Sequence, residues 1–126
     1  MLTLSVLPEL LAICRLDRDA AVPDWTMGEF VSITRTSDEL SIVCDERDVP
    51  SGVKADRGWR ALKIEGPLDL ALTGVLASIA VPLAEAKINI FAISTFDTDY
   101  VLVKAERVAE AIGVLREAGQ RVISEE

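Results

Sequence analysis

The chain has 126 residues, 50% of them hydrophobic, 27% charged and 5% aromatic, so it can bury a core as one or two small units without covalent staples. Its 13 Lys and Arg stand against 21 Asp and Glu, a net charge of −8 with no basic cluster, which argues against nucleic acid and membrane surfaces as partners. With no histidine, the usual zinc sites, His triads and His general bases are absent, and most familiar enzyme chemistry goes with them.

No apolar run reaches the roughly 18 to 20 residues of a spanning helix, and the opening M-L-T-L-S-V-L-P lacks the basic flank of a signal peptide. A cytoplasmic protein is expected. Cys14 and Cys44 agree with that compartment: each sits in an apolar, strand-like run, where a free thiol packs as a small hydrophobe. A disulfide would require their strands to be neighbours with suitable geometry.

In chain order, residues 2–7 and 10–16 read as strands. Residues 17–30 carry charge, Pro23 and Gly28 without a sustained helical period, which predicts a loop with at most one helical turn, capped by Asp24. Residues 30–35 and 39–44 then form a hairpin, with Ile33, Ile42 and Val43 as core candidates. A polar connection over 45–58 leads to a strand at 59–65, stopped by Gly66-Pro67.

The stretch 72–104 is the most ordered in pattern. Val75, Leu76, Ile79, Leu83 and Ala86 recur at three- and four-residue spacing, the apolar face of a helix over 74–86. Pro82 removes one donor and crowds the Ser78 carbonyl, so a kinked helix is expected. A strand from Ile88 to Ile93, a turn over 95–98 and a return strand over 100–103 follow. Val108, Ala111, Ile112 and Leu115 face the core from a second helix, over 106–118, which Gly119 ends.

A displacement of 60 positions lays F-V-S-I-T-R-T-S-D-E-L-S-I-V-C on I-F-A-I-S-T-F-D-T-D-Y-V-L-V-K, and the two halves read as unequal copies of one unit. Only the second half carries full helices. The strand at 59–65 is wanted by both copies, as the last of one and the first of the other. An exchange of strands, with residues 2–7 filling the vacancy, resolves the conflict.

The run T-G-V-L-A-S-I-A-x-P-L-A-E-A followed by I-N-I-F-x-I-S-T-F-x-T-D-Y-V-L-V resembles the ACT domain, in the branch of the cytosolic arginine sensors and small bacterial tandem-ACT proteins. The match is specific over residues 61–124 and weaker over 2–60. The resemblance implies an α+β architecture of two tandem ferredoxin-like βαββαβ units with antiparallel sheets. The first would span 1–60 and be degenerate in helices; the second would span 61–126. It also implies a regulatory module that binds amino acids or similar small ligands at an interface, without a cofactor.

The local chemistry bears on such a site. A helix starting near Gly74 offers unpaired N–H groups and a partial positive charge, which suit a carboxylate. The bland alternative makes Thr73 an N-cap and Gly74 a packing residue. In the turn, Asp97 and Asp99 read first as a solvated hairpin tip and second, through Asp99 and Phe96, as partners for an ammonium group and its apolar neighbour. A metal-binding D-x-D lacks the further oxygens that hard cations need. The arginine-sensor relatives imply ligand contacts at Thr73, Gly74, Val75, Thr95, Phe96 and Asp99. Sixty residues earlier stand Arg35, Thr36 and Glu39, so one intact site per chain is expected.

These readings favour a ligand-binding regulatory module that is not an enzyme. An oligomerisation module without a ligand is the alternative. Apolar residues fall on both sides of the strands at 88–93 and 100–103, while two helices cover one face, so a homodimer is expected, with a regulated protein as a further partner.

Overall fold

The computed structural model describes residues 1–69 and 71–124, which adopt a mixed α+β fold. In chain order the elements are β1 (Thr3–Val6), β2 (Leu11–Leu16), β3 (Ser32–Arg35), β4 (Leu40–Asp45), β5 (Lys54–Ile64), α1 (Val75–Glu85), β6 (Phe91–Ser94), β7 (Asp99–Lys104), α2 (Val108–Glu117) and β8 (Arg121–Ile123). The chain divides into two compact units, one of Glu9–Trp59 and one joining Met1–Pro8 to the chain from Arg60 onward. β5 contributes to both.

In the unit Glu9–Trp59 the strands run in the order β3-β4-β2-β5, with antiparallel pairings. Its core gathers Leu40, Ile42 and Cys44 of β4 with Ala12 and Cys14 of β2 and Val49. Ile33, expected inside, is 43% exposed: β3 is an edge strand. The expected start of β5 at Trp59 is corrected to Lys54. Residues 54–58, K-A-D-R-G, look like a connection because they are polar, but they are held by pairing to β2, Cys14 opposite Ala55 and Arg15 opposite Lys54. Between Leu11, opposite Trp59, and Ile13, opposite Asp56, β5 holds one extra residue, and Gly58 adopts φ +83° there, a conformation that favours glycine.

The connection over 45–53 opens with a short 3-10 turn, Glu46–Asp48, started by Asp45, whose carboxylate accepts from the Arg47 N–H. Arg57 donates to the carbonyls of Glu46, Val49 and Pro50. In the loop after β2, Thr26 rather than Asp24 fixes the turn: its N–H and hydroxyl both donate to the Pro23 carbonyl. Arg35 of β3 donates to the carbonyls of Arg18 and Ala20 and so ties the loop down, while Arg15 donates to that of Asp38 in the turn between β3 and β4. Cys14 and Cys44 lie on neighbouring strands, free and buried, and burial pushes both thiols up, Cys44 to about 11.

In the other unit the order is β6-β7-β5-β1-β8, with residues 60–64 supplying β5. β1 is antiparallel to β5, Leu4 opposite Ile64, and parallel to β8, Leu4 opposite Val122. The N-terminal strand thus lies between the first and last strands of the βαββαβ run. Leu4, Leu62, Ile64, Val101 and Val103 point to one face, where Ile79 and Leu83 of α1 and Ala111 and Leu115 of α2 close the core. Each such fully buried aliphatic side chain contributes about 1.5–3 kcal/mol.

α1 continues through Pro82 to Glu85, and the Ser78 hydroxyl donates to the Val75 carbonyl at 2.7 Å. Both helices end alike. After α1, Lys87 N–H bonds Ala84 O and Ile88 N–H bonds Leu83 O; after α2, Gly119 N–H bonds Arg116 O and Gln120 N–H bonds Leu115 O. These are Schellman closures with the pivotal residue at positive φ, +61° for Lys87 and +96° for Gly119. The expected strand start at Ile88 is therefore corrected to Phe91, because Ile88 belongs to the helix closure and packs in the core.

Element boundaries recur between the units at a displacement of 59, not 60. β3 and β6, β4 and β7, and the 3-10 turns Glu46–Asp48 and Ala105–Arg107 all obey it. The turn bonds agree: Thr36 N–H to Glu39 O at 2.9 Å and Thr95 N–H to Thr98 O at 2.8 Å. Ile42, Val43, Cys44 and Val101, Leu102, Val103 are buried without interruption, so no alternation fixes the register in sequence.

Candidate functional site

The turn over 95–98 is built by Thr95, whose N–H and hydroxyl both donate to the Thr98 carbonyl while its Oγ1 accepts from the Thr98 N–H. Thr98, 5% exposed, turns its own hydroxyl inward onto the Ile64 carbonyl at 2.5 Å. The chain leaving β5 docks on the same turn. Leu68 N–H donates to Asp97 O at 2.7 Å, and a Cβ on Gly66 would stand 3.0 Å from Asp97 O and from Leu68 N and 3.3 Å from Thr98 Cβ. Asp69 then folds the chain toward α1 by accepting from Ala71 N–H with Oδ1 and from Leu72 N–H with its carbonyl.

Loop, helix start and turn enclose a cavity of about 210 Å³. Leu68, Asp69 and Leu72 line it from the loop, Val75 from α1, and Ser94 to Asp99 from the hairpin. Among the described residues, three of the ten that line it are carboxylates, Asp69, Asp97 and Asp99, and none is basic. The Asp99 carboxylate is oriented by the Ser94 hydroxyl at 2.6 Å. Leu68, Leu72, Val75 and Phe96 supply apolar surface; Phe96 is 80% exposed at the rim. Such a cavity offers a cationic group a choice of anions and its carbon skeleton an apolar wall.

Of the six residues singled out from sequence, Val75, Thr95, Phe96 and Asp99 line this cavity together, whereas Thr73 and Gly74 do not. Thr73 is not the helix cap: Gly74 holds that position at φ +78°, and no side chain caps α1. The helix accordingly begins at Val75 rather than Gly74. Leu68, Asp69 and Leu72 escaped sequence reasoning, because the loop has no hydrophobic period and Gly66-Pro67 reads only as a strand stop. The Asp69 turn is the signal that was there to find. The displacement of 59 also revises the counterparts of Thr95, Phe96 and Asp99 from Arg35, Thr36 and Glu39 to Thr36, Ser37 and Leu40. No cluster of metal-binding side chains occurs among the described residues.

A helix-backed sheet with a small cavity where the first strand feeds the first helix places the chain among βαββαβ domains. The chain belongs to the ACT domain family, whose profile matches residues 54–117; a second profile, of an N-terminal domain, matches residues 9–52. The crystal structure of protein Atu0741 from Agobacterium tumefaciens is 40% identical, with a TM-score of 0.94 over 99% of this chain and 94% of that one. The human cytosolic arginine sensor for mTORC1 subunit 1 is 39% identical over 102 residues, 75% of this chain and 31% of the sensor. The chain thus spans under a third of that relative's length. The aspartokinase alpha and beta subunits share the fold, with a TM-score of 0.61, 19% identity and coverage of 93% and 97%. Among the described residues no helix is long and apolar enough to cross a membrane.

Proposed function

We propose that this ACT-family chain is a cytoplasmic amino-acid-binding regulatory module, with its ligand in the cavity between the loop, α1 and the turn. The observation that carries the reading is the lining by described residues: three carboxylates, no base and four apolar side chains around about 210 Å³. The ligand's ammonium pairs with Asp99, and its carboxylate meets the N–H groups at the start of α1, which no side chain caps. A lining so acidic favours a ligand with a second positive charge, and the arginine-sensing human relative supports the same choice. Glu9–Trp59 is read as a degenerate ACT-like unit: its strand order β3-β4-β2-β5 matches β6-β7-β5-β8 with β1 left out.

A homodimer that regulates a protein partner completes the reading. Its support is the apolar character of both faces of these strands: Val101 and Val103 turn to α1 and α2, and partly buried Ile93 lies on the other face. The alternative, assembly without a ligand, makes a different forecast. Thermal shift against the twenty amino acids should show one specific stabilisation, whereas silence across the panel favours assembly alone. Calorimetry with the hit should lose roughly 1.5–3 kcal/mol of affinity in Asp99→Asn, the scale of a hydrogen bond to a charged group. Unchanged affinity removes Asp99 from the site. Light scattering over a dilution series tests the dimer; a monomer mass at every concentration, with and without ligand, refutes it.

A further inference from the structure

The turn over 95–98 has a second side. Another cavity, of about 200 Å³, is lined by Lys63, Tyr100 and the Gly66-Pro67 corner, and it shares Thr95, Asp97 and Thr98 with the first. Lys63 stands between Leu62 and Ile64, both in the helix-backed core, and Tyr100 stands beside Val101 of the same core. Strand alternation therefore sends both side chains to the helix-free face. The two cavities are back to back, with one turn as their common wall.

Their electrostatics differ. Among the described residues Lys63 is the one base lining either cavity; against Asp97 it brings the charge of the second lining to zero, where the first stands at three carboxylates. The Thr95 and Thr98 hydroxyls already donate to the Thr98 and Ile64 carbonyls, so the Lys63 ammonium is the group that suits a single carboxylate, through one charge-assisted bond. Asp97 in the same lining disfavours a multiply charged anion such as phosphate and offers a partner to an ammonium group. Gly66 makes the corner possible, since a side chain there would press on the Asp97 and Leu68 backbones.

We infer that the Lys63–Tyr100 cavity is a second ligand site, taking a small zwitterion with no net charge, its carboxylate at Lys63 and its ammonium at Asp97. The assignment stands on this cavity's own residues and does not require the first cavity to be occupied.

The test is an amide NMR titration of the full chain with glycine, acetate and inorganic phosphate as separate probes. Glycine should give saturable shifts at Lys63, Gly66 and Tyr100, acetate weaker ones, and phosphate none. Lys63→Met should weaken the glycine response about tenfold or more, the loss expected for a charged hydrogen bond. Lys63→Gln repeats the test if the methionine variant does not fold. Absence of saturation with glycine in the unmodified protein overturns the site. So does a glycine response that survives in the Lys63 variant, or phosphate binding more tightly than glycine. Arginine shifts confined to Val75 and Phe96 would report on the first cavity alone, so the two assignments can fail separately.

Discussion

Thr98→Val probes the joint on which both cavities depend. The substitution keeps the β-branched shape and removes one donor, leaving the Ile64 carbonyl, in a residue 0% exposed, without its 2.5 Å partner. An unsatisfied buried acceptor costs about 1–3 kcal/mol, and the methyl group that replaces the hydroxyl returns up to about 0.8 kcal/mol through apolar burial. The net loss should be about 1–2 kcal/mol, or roughly 4–8 °C in melting temperature for a chain of this size. Urea unfolding reads it as a lower midpoint at unchanged slope, because the surface exposed on unfolding hardly differs. A Thr98→Val protein as stable as the original would refute the reasoning: the hydroxyl-to-carbonyl bond would then contribute nothing, and the turn would be held by Thr95 alone.

Gly66→Ala should cost about 1–3 kcal/mol by overpacking, since the added Cβ meets backbone atoms at 3.0 Å that cannot rotate away; amide exchange at Leu68 should quicken with it. Lys87→Gly should stabilise by up to about 1 kcal/mol, as glycine accepts the left-handed φ of +61° without a Cβ penalty, and chemical denaturation measures the gain. For Cys44 the folded thiol titrates near 11 against an ordinary 9.0, so the folded state holds its proton where the unfolded chain has lost it. The Cys44 contribution is therefore fully present below pH 9 and declines between 9 and 11. Denaturation midpoints should fall over that window and flatten in Cys44→Ala, and thiol reagents at pH 8 should label neither cysteine until the chain unfolds.

Legibility tracked pattern strength. The α1 stripe and the closure at Gly119 stand out in sequence because a helical period over three turns has few competing explanations. The first half of β5 does not, since K-A-D-R-G is polar on account of its exposed positions and is kept in the sheet by pairing partners far away in sequence. Ile33 misleads for a related reason: apolarity marks a core candidate, but an edge strand has nothing to pack over it. In the first cavity, residues adjacent to strong elements, Val75 and Asp99, can be nominated from spacing and resemblance. Leu68 and Asp69 cannot, because their place depends on a backbone bond to Asp97 across 29 positions, which leaves no periodic trace.

The central place of β1 has a consequence for how the molecule comes into being. Of the described elements this strand is made first and its parallel partner β8 last, and Leu2 N–H bonds the Gln120 side chain across 118 positions. Closing so long a loop is entropically expensive, and contacts of such separation form late. β1 can add to β5 once residue 64 has emerged, but its other edge stays open until residues 121–123 have emerged. A nascent chain halted before Arg121 would thus display an unpaired strand edge, the kind of surface that chaperones and neighbouring nascent chains recognise.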